Sequence, residues 1–156
     1  MNTLNYIPTF EDIRREAHSY SNSSSDQALH EVADLLQRYP DFYFQNKESV
    51  DFDILGHVFS SLGGWYAVSL HEHGNYNELW DLMNYMEGKW VEEKKRKDLS
   101  GETSESEMDY FVQFCFLESI FYAIPRNPDA YKWVVTFFPP QLAQRYKELS
   151  VSWNRS

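Results

Sequence analysis

Apolar positions recur every three or four residues along most of the chain, a period that predicts helices rather than strands. Phe10, Ile13, Ala17 and Tyr20 form the first stripe, and Thr9 with Asp12 three residues on has the form of an N-cap. Ser21 to Ser25 is a polar break. Ser24 with Gln27 reads as a capping box for a second helix carrying Leu29, Val32, Ala33, Leu36 and Tyr39. Pro40 ends that helix, because the residue before a proline is displaced from the helical region. Residues 40–50 read as a loop with Phe42 and Phe44 tucked beneath it.

From about Asp51 to Leu70 the stripe Phe52, Leu55, Val58, Phe59 and Leu62 predicts a long helix, with Gly63 and Gly64 in its interior. Glycine disfavours a helix by about 1 kcal/mol relative to alanine, so the segment either kinks, ends, or lets a neighbour approach closely. A kinked or closely packed helix is the preferred reading, over an end at the glycines with Trp65 to Leu70 as a second helix or a short strand. Gly74 closes the segment, and Asn75 with Glu78 supplies the next cap, ahead of Leu79, Leu82, Met83, Met86 and Trp90. Beyond Val91 the helix turns polar through Glu92, Glu93, Lys94, Lys95, Arg96 and Lys97, as suits an exposed carboxyl end. Asp98 to Ser106 is the most loop-like stretch.

Ser104 with Glu107 then caps a helix over about 106–124 that is apolar on nearly every side, through Met108, Phe111, Val112, Cys115, Phe116, Ile120 and Tyr122. Such a helix belongs at the centre of the fold. Asn127 and Pro128 open a short helix with Tyr131, Trp133, Val134 and Val135. After Pro139 and Pro140 a last amphipathic helix carries Leu142, Ala143, Tyr146 and Leu149, with Trp153 folding back. The expected fold is all-α: one domain over residues 1–156, an irregular bundle of about six or seven helices around the apolar helix at 106–124.

Composition narrows the function classes. With 156 residues, 42% hydrophobic and 17% aromatic, the chain has ample material for a core. Cys115 is the single cysteine, which leaves neither an intrachain disulfide nor a cysteine zinc site. No run of about 18 apolar residues is present, so no membrane span is expected. The first ten residues lack a basic head and an apolar run, and a cytoplasmic location without a secretory signal is expected. A net charge of −10 makes nucleic acid a poor partner and a basic protein a good one. The acidity is uneven: residues 51–90 carry six acids against Lys89 alone.

Candidate chemistry is sparse. His30 and Asp34 share a helix face, as in a zinc helix, but no third ligand is marked, and a solvated polar stripe accounts for them. His71 and His73 suit a helix terminus better than a metal site. Glu118, set among apolar neighbours, calls for an ion pair with Arg126 or Lys132, a narrow exposed seam, or a catalytic role. Cys115 among phenylalanines reads as an inert packed thiol. No nucleophile elbow, phosphate loop or dinucleotide fingerprint occurs, and no catalytic residue, cofactor or metal ligand is assigned.

Three stretches, Leu79 to Glu87, Phe116 to Ile120 and Phe137 to Trp153, resemble a loose family of small acidic helical proteins from bacteria. That resemblance implies an irregular all-helical bundle and an immunity protein of a toxin system. Related sequences often place asparagine where this chain has Ser119, and no functional residue carries over.

The expected function is therefore non-enzymatic binding of a basic protein, most concretely an immunity protein masking a toxin domain. Tyr76, Trp80 and Tyr85 would supply buried contact, and Glu78, Asp81, Glu87, Glu92 and Glu93 would steer the encounter. An adaptor or self-associating domain, with a homodimer through the same aromatic residues, is one alternative; a small enzyme using Glu118 or the histidines is another.

Overall fold

The computed structural model describes residues 7–17, 26–49, 55–124 and 136–153. Among the described residues lie seven helices and no strand, so the all-α expectation holds. The chain falls into two compact units, residues 1–59 and 60–156.

In the first unit, α1 (Phe10–Ala17) packs on α2 (Asp26–Arg38), and α2 on α3 (Pro40–Asn46). The start of α1 is fixed as the sequence suggests. The Thr9 N–H donates to Asp12 Oδ2 at 3.0 Å, and the Asp12 N–H donates back to Thr9 Oγ1 at 3.3 Å. The stripe Leu29, Val32, Ala33, Leu36 and Tyr39 is buried. Pro40 does end α2, but residues 40–46 are helical where a loop was expected. Proline is excluded from a helix interior yet favoured at the first helical position, where its missing N–H matters least, so Pro40 both stops α2 and starts α3. Phe42 is buried on α3, and its carbonyl accepts from Asn46 Nδ2 at 2.8 Å. The expected Ser24 cap and the start of the next helix at Asp51 lie outside the described residues.

Helix α4 (residues 55–72) begins in the first unit and ends in the second. It continues through Gly63 and Gly64 as a wider π-helical stretch, Leu62–Ala67, before resuming as Val68–Glu72. Helix α5 (Tyr76–Ser100) follows, its last turn closed by Gly101 at φ 73°. It runs three residues, Asp98 to Ser100, into the stretch expected to be a loop from Asp98 to Ser106. Asn75 occupies the N-cap without a side-chain hydrogen bond, so the expected Asn75 cap is not made.

Helix α6 (residues 107–123) also widens in its middle, over Phe111–Leu117. Its cap lies two residues beyond the expected one. Ser106, not Ser104, accepts from the Asp109 N–H at 3.2 Å, and the Ser106 N–H donates to Asp109 Oδ2 at 3.1 Å. Helix α7 (Pro140–Trp153) completes the described part. α6 packs on α4, α5 and α7, which makes it the central element of this unit. Leu62, Leu79, Leu82, Met83, Met86, Val112, Phe116, Leu117, Ile120 and Leu142 are wholly buried.

The glycine pair explains how α4 and α6 approach. A Cβ on Gly63 would overlap the Phe116 carbonyl oxygen, and one on Gly64 would lie 3.0 Å from Ser119 Cβ. Backbone therefore meets backbone, as close packing through glycine requires. The helix expected around Asn127 to Val135, with Arg126 and Lys132, lies outside the described residues.

Candidate functional site

Helix α5 carries all the residues expected to bind a partner, but its turn of about 100° per residue divides them: Tyr76, Trp80 and Glu87 share one side, and Glu78, Asp81, Tyr85 and Glu92 the other. Tyr76 and Trp80 stand one helical turn apart and remain 46% and 38% exposed. Both lean on Phe137: the Tyr76 ring stacks on it at 5.2 Å between centroids, and Trp80 lies at 5.6 Å. His71 closes the cluster, 5.8 Å from Phe137 and 5.6 Å from Tyr76. Packed aromatic groups of this kind are held rigid while still offering apolar area to solvent.

The acids expected to steer a partner, and Glu72, differ in their surroundings. Asp81 and Glu72 are exposed. Glu78 accepts the Tyr66 hydroxyl at 2.8 Å. Glu92, with its side chain 72% exposed, lies 3.7 Å from Lys89, whose ammonium stands 5.4 Å from the Tyr85 ring. Glu87 is half-buried and accepts the Gln141 and Leu142 backbone N–H groups at 2.7 and 3.0 Å. It thereby caps the amino end of α7 and satisfies two donors that a helix terminus otherwise leaves orphaned.

Glu93 departs from expectation. It is only 6% exposed and faces inward, so it cannot present charge to an approaching protein. Its carboxylate accepts Arg96 Nε at 2.5 Å and the Ser106 hydroxyl. Arg96 reaches on to Glu102 at 3.0 Å, and Lys97 pairs with buried Asp109. Burial works against the charge of Glu93, but the Arg96 and Ser106 hydrogen bonds and the Arg96 charge outweigh it, holding its pKa below the ordinary glutamate value. Asp109 is likewise held low: burial opposes ionisation, and Lys97 with the Ser106 backbone overcomes it. The sequence carries a signal for this network. Met86, Trp90, Glu93 and Lys97 continue the buried stripe at spacings of four, three and four.

Beside the network lies an open cavity of about 620 Å³. Trp90, Lys94, Asp98, Glu105, Gln113 and Arg145 contribute to its walls. The Lys94 ammonium sits 4.8 Å from the Trp90 ring centroid. Arg145 Nε donates to Gln113 Oε1 at 2.6 Å and Nη1 to Glu148 at 3.2 Å.

The other singled-out groups lie apart. His30 stacks on Phe10 with centroids 3.5 Å apart. The ring of exposed His73 has Nδ1 2.8 Å from the Ser69 carbonyl, at the helix end. No cluster of three or more metal-ligating side chains occurs among the described residues. Burial pushes the Cys115 thiol up to about 11, which leaves it protonated and a poor nucleophile at neutral pH. Glu118 is half-buried, with its pKa raised by burial, and meets no hydrogen bond or cation among the described residues. Its expected partners Arg126 and Lys132 lie outside the described residues.

No protein-family model, no curated protein and no solved structure matches this chain.

Proposed function

We propose that this chain is a non-enzymatic protein-binding domain whose partner is basic, most concretely an immunity protein covering a cationic toxin domain. One observation carries the reading: Tyr76 and Trp80 stay about half exposed while anchored on Phe137, in a stretch of chain without any lysine or arginine between residues 48 and 88. Aromatic side chains concentrate at binding hot spots because they offer large contact area at little entropic cost. Asp81, next to Trp80 in the chain, and Glu92, about three turns further along α5, are exposed acids that add to a field speeding a cationic partner's approach. The short stretches similar to small acidic bacterial proteins favour the immunity form of this reading.

The test is capture of a partner from the source cell, followed by kinetics with the purified pair. A basic protein is expected, with an association rate that falls steeply with added salt. Trp80→Ala should raise its dissociation rate by at least about tenfold, as truncation of an aromatic anchor does. An association rate indifferent to salt, and a dissociation rate indifferent to Trp80→Ala, would overturn the reading.

The same exposed rings favour self-association as a second reading. Sedimentation decides it: a dimer that Tyr76→Ala/Trp80→Ala converts to monomer would place a second copy, not a basic protein, on this face.

A further inference from the structure

The cavity beside Trp90 is built differently from the face at Tyr76 and Trp80. Trp90 is 5% exposed, and its indole N–H finds no acceptor among the described residues. A buried donor without a partner is uncommon in folded proteins and points to a missing acceptor. The ring face is covered by Lys94, an exposed side chain from the next turn that holds its ammonium 4.8 Å away. Lys94 makes no ion pair among the described residues. Asp98 and Glu105, both exposed at the cavity, make none either. By contrast Asp109, Glu102 and Glu148 are matched by Lys97, Arg96 and Arg145. The uncommitted groups are thus an indole face already seating a cation, two carboxylates, and one buried N–H donor.

We infer that this cavity receives an arginine or lysine side chain of another protein, its cationic head replacing the Lys94 ammonium over the Trp90 ring between Asp98 and Glu105. Lys94 marks the seat. An ammonium over tryptophan is held by the ring quadrupole, and an exposed example is held weakly enough to exchange. Arginine suits the seat best, since its planar guanidinium stacks on the ring while its N–H groups reach carboxylates. The partner as the source of the side chain rests on the proposed function; the chemistry of the seat does not.

The experiment is a titration of the full chain, labelled with nitrogen-15, with N-acetyl-arginine amide at low salt. The readout is the Trp90 indole N–H resonance, identified by its loss in Trp90→Phe. The resonance should move saturably, and N-acetyl-glutamate amide should leave it in place. Lys94→Met should tighten binding by roughly threefold by vacating the seat. Asp98→Asn/Glu105→Gln should weaken it by roughly fivefold, the scale of two exposed ion pairs. An immobile resonance up to the solubility limit of the arginine derivative would overturn the assignment, as would a stronger response to the glutamate derivative. Weaker binding after Lys94→Met would overturn it too, because Lys94 would then help to hold the ligand rather than occupy its place. Tyr76→Ala/Trp80→Ala should leave this titration intact, so failure of the α5 face and failure of the cavity are read separately.

Discussion

Gly63 faces the main-chain carbonyl of Phe116 so closely that any side chain at position 63 would overlap that oxygen. Two effects oppose each other in Gly63→Ala. Alanine favours the helix by about 1 kcal/mol. Displacing a backbone carbonyl in a packed interior costs about 1–3 kcal/mol or more, and no flexible side chain is available to yield. The clash should win, giving a net loss of about 1–2 kcal/mol in urea unfolding. Gly88 is the counterpart. It lies on the exposed face of α5 with nothing within 4 Å of a built Cβ, so Gly88→Ala should stabilise by about 0.5–1 kcal/mol. Equal effects at the two sites would contradict the close approach of α4 and α6.

Glu87 ties α5 to the start of α7 through two backbone hydrogen bonds. Glu87→Ala should cost about 1–2 kcal/mol, the scale of a lost cap. Glu87→Gln keeps an acceptor but loses the charge that complements the helix dipole, so its loss should be about half as large. Amide exchange at Gln141 and Leu142 gives the local check: both should exchange faster in Glu87→Ala. Unchanged exchange there would mean that the cap contributes nothing.

Helical periodicity carries most of the architecture, because stripes such as Leu79, Leu82, Met83 and Met86 register burial directly. The central position of α6 follows from apolar density, whereas the glycine pair leaves both a kink and a close packing open, and the nearness of the Phe116 carbonyl decides for close packing. What periodicity misses is of two kinds. Local rules with two solutions are one: Pro40 can stop a helix or start one, and both Ser104 with Glu107 and Ser106 with Asp109 satisfy a capping pattern. Contacts made through space are the other. Glu87 meets Leu142 across 55 positions and Lys97 meets Asp109 across 12, and no local spacing encodes either. Glu93 was readable in part, since it falls on the buried stripe, but a charged residue there looks like the stripe's end until its partners are seen. Tyr76 and Trp80 stand where the polar face of α5 would put them, while their support by Phe137 depends on tertiary packing.

The lowered pKa values of Glu93 and Asp109 set the direction of acid sensitivity. A carboxyl group whose folded pKa lies below its unfolded value stabilises the fold above the ordinary range near about 4. That contribution is lost as pH falls through the lowered folded value. Asp109→Asn retains an acceptor for the Ser106 cap but removes the charge facing Lys97, and should cost about 1–2 kcal/mol at neutral pH. The difference from the unmodified chain should shrink as pH falls from neutral through the lowered folded value, where the native carboxylate is itself protonated. Urea midpoints across that range measure this. A difference that persists undiminished in acid would assign Asp109 to packing rather than charge.

Glu118 works in the opposite sense. Burial raises its pKa, and no cation among the described residues offsets the desolvation. The folded chain therefore holds this proton more tightly than the unfolded chain does, and the ionised carboxylate lowers stability at neutral pH. The deficit is relieved as pH falls through the raised folded value toward the ordinary glutamate range near about 4.3. Glu118→Gln keeps the size of the side chain without its charge, and should stabilise the chain at neutral pH on the order of 0.5 kcal/mol, the scale of a partly exposed substitution. The gain should fade on mild acidification. Thermal melts of both forms at neutral and mildly acidic pH provide the check. A loss of stability at neutral pH would instead mean that this carboxylate is held by a cation, and that the charge of Glu118 supports the fold rather than straining it.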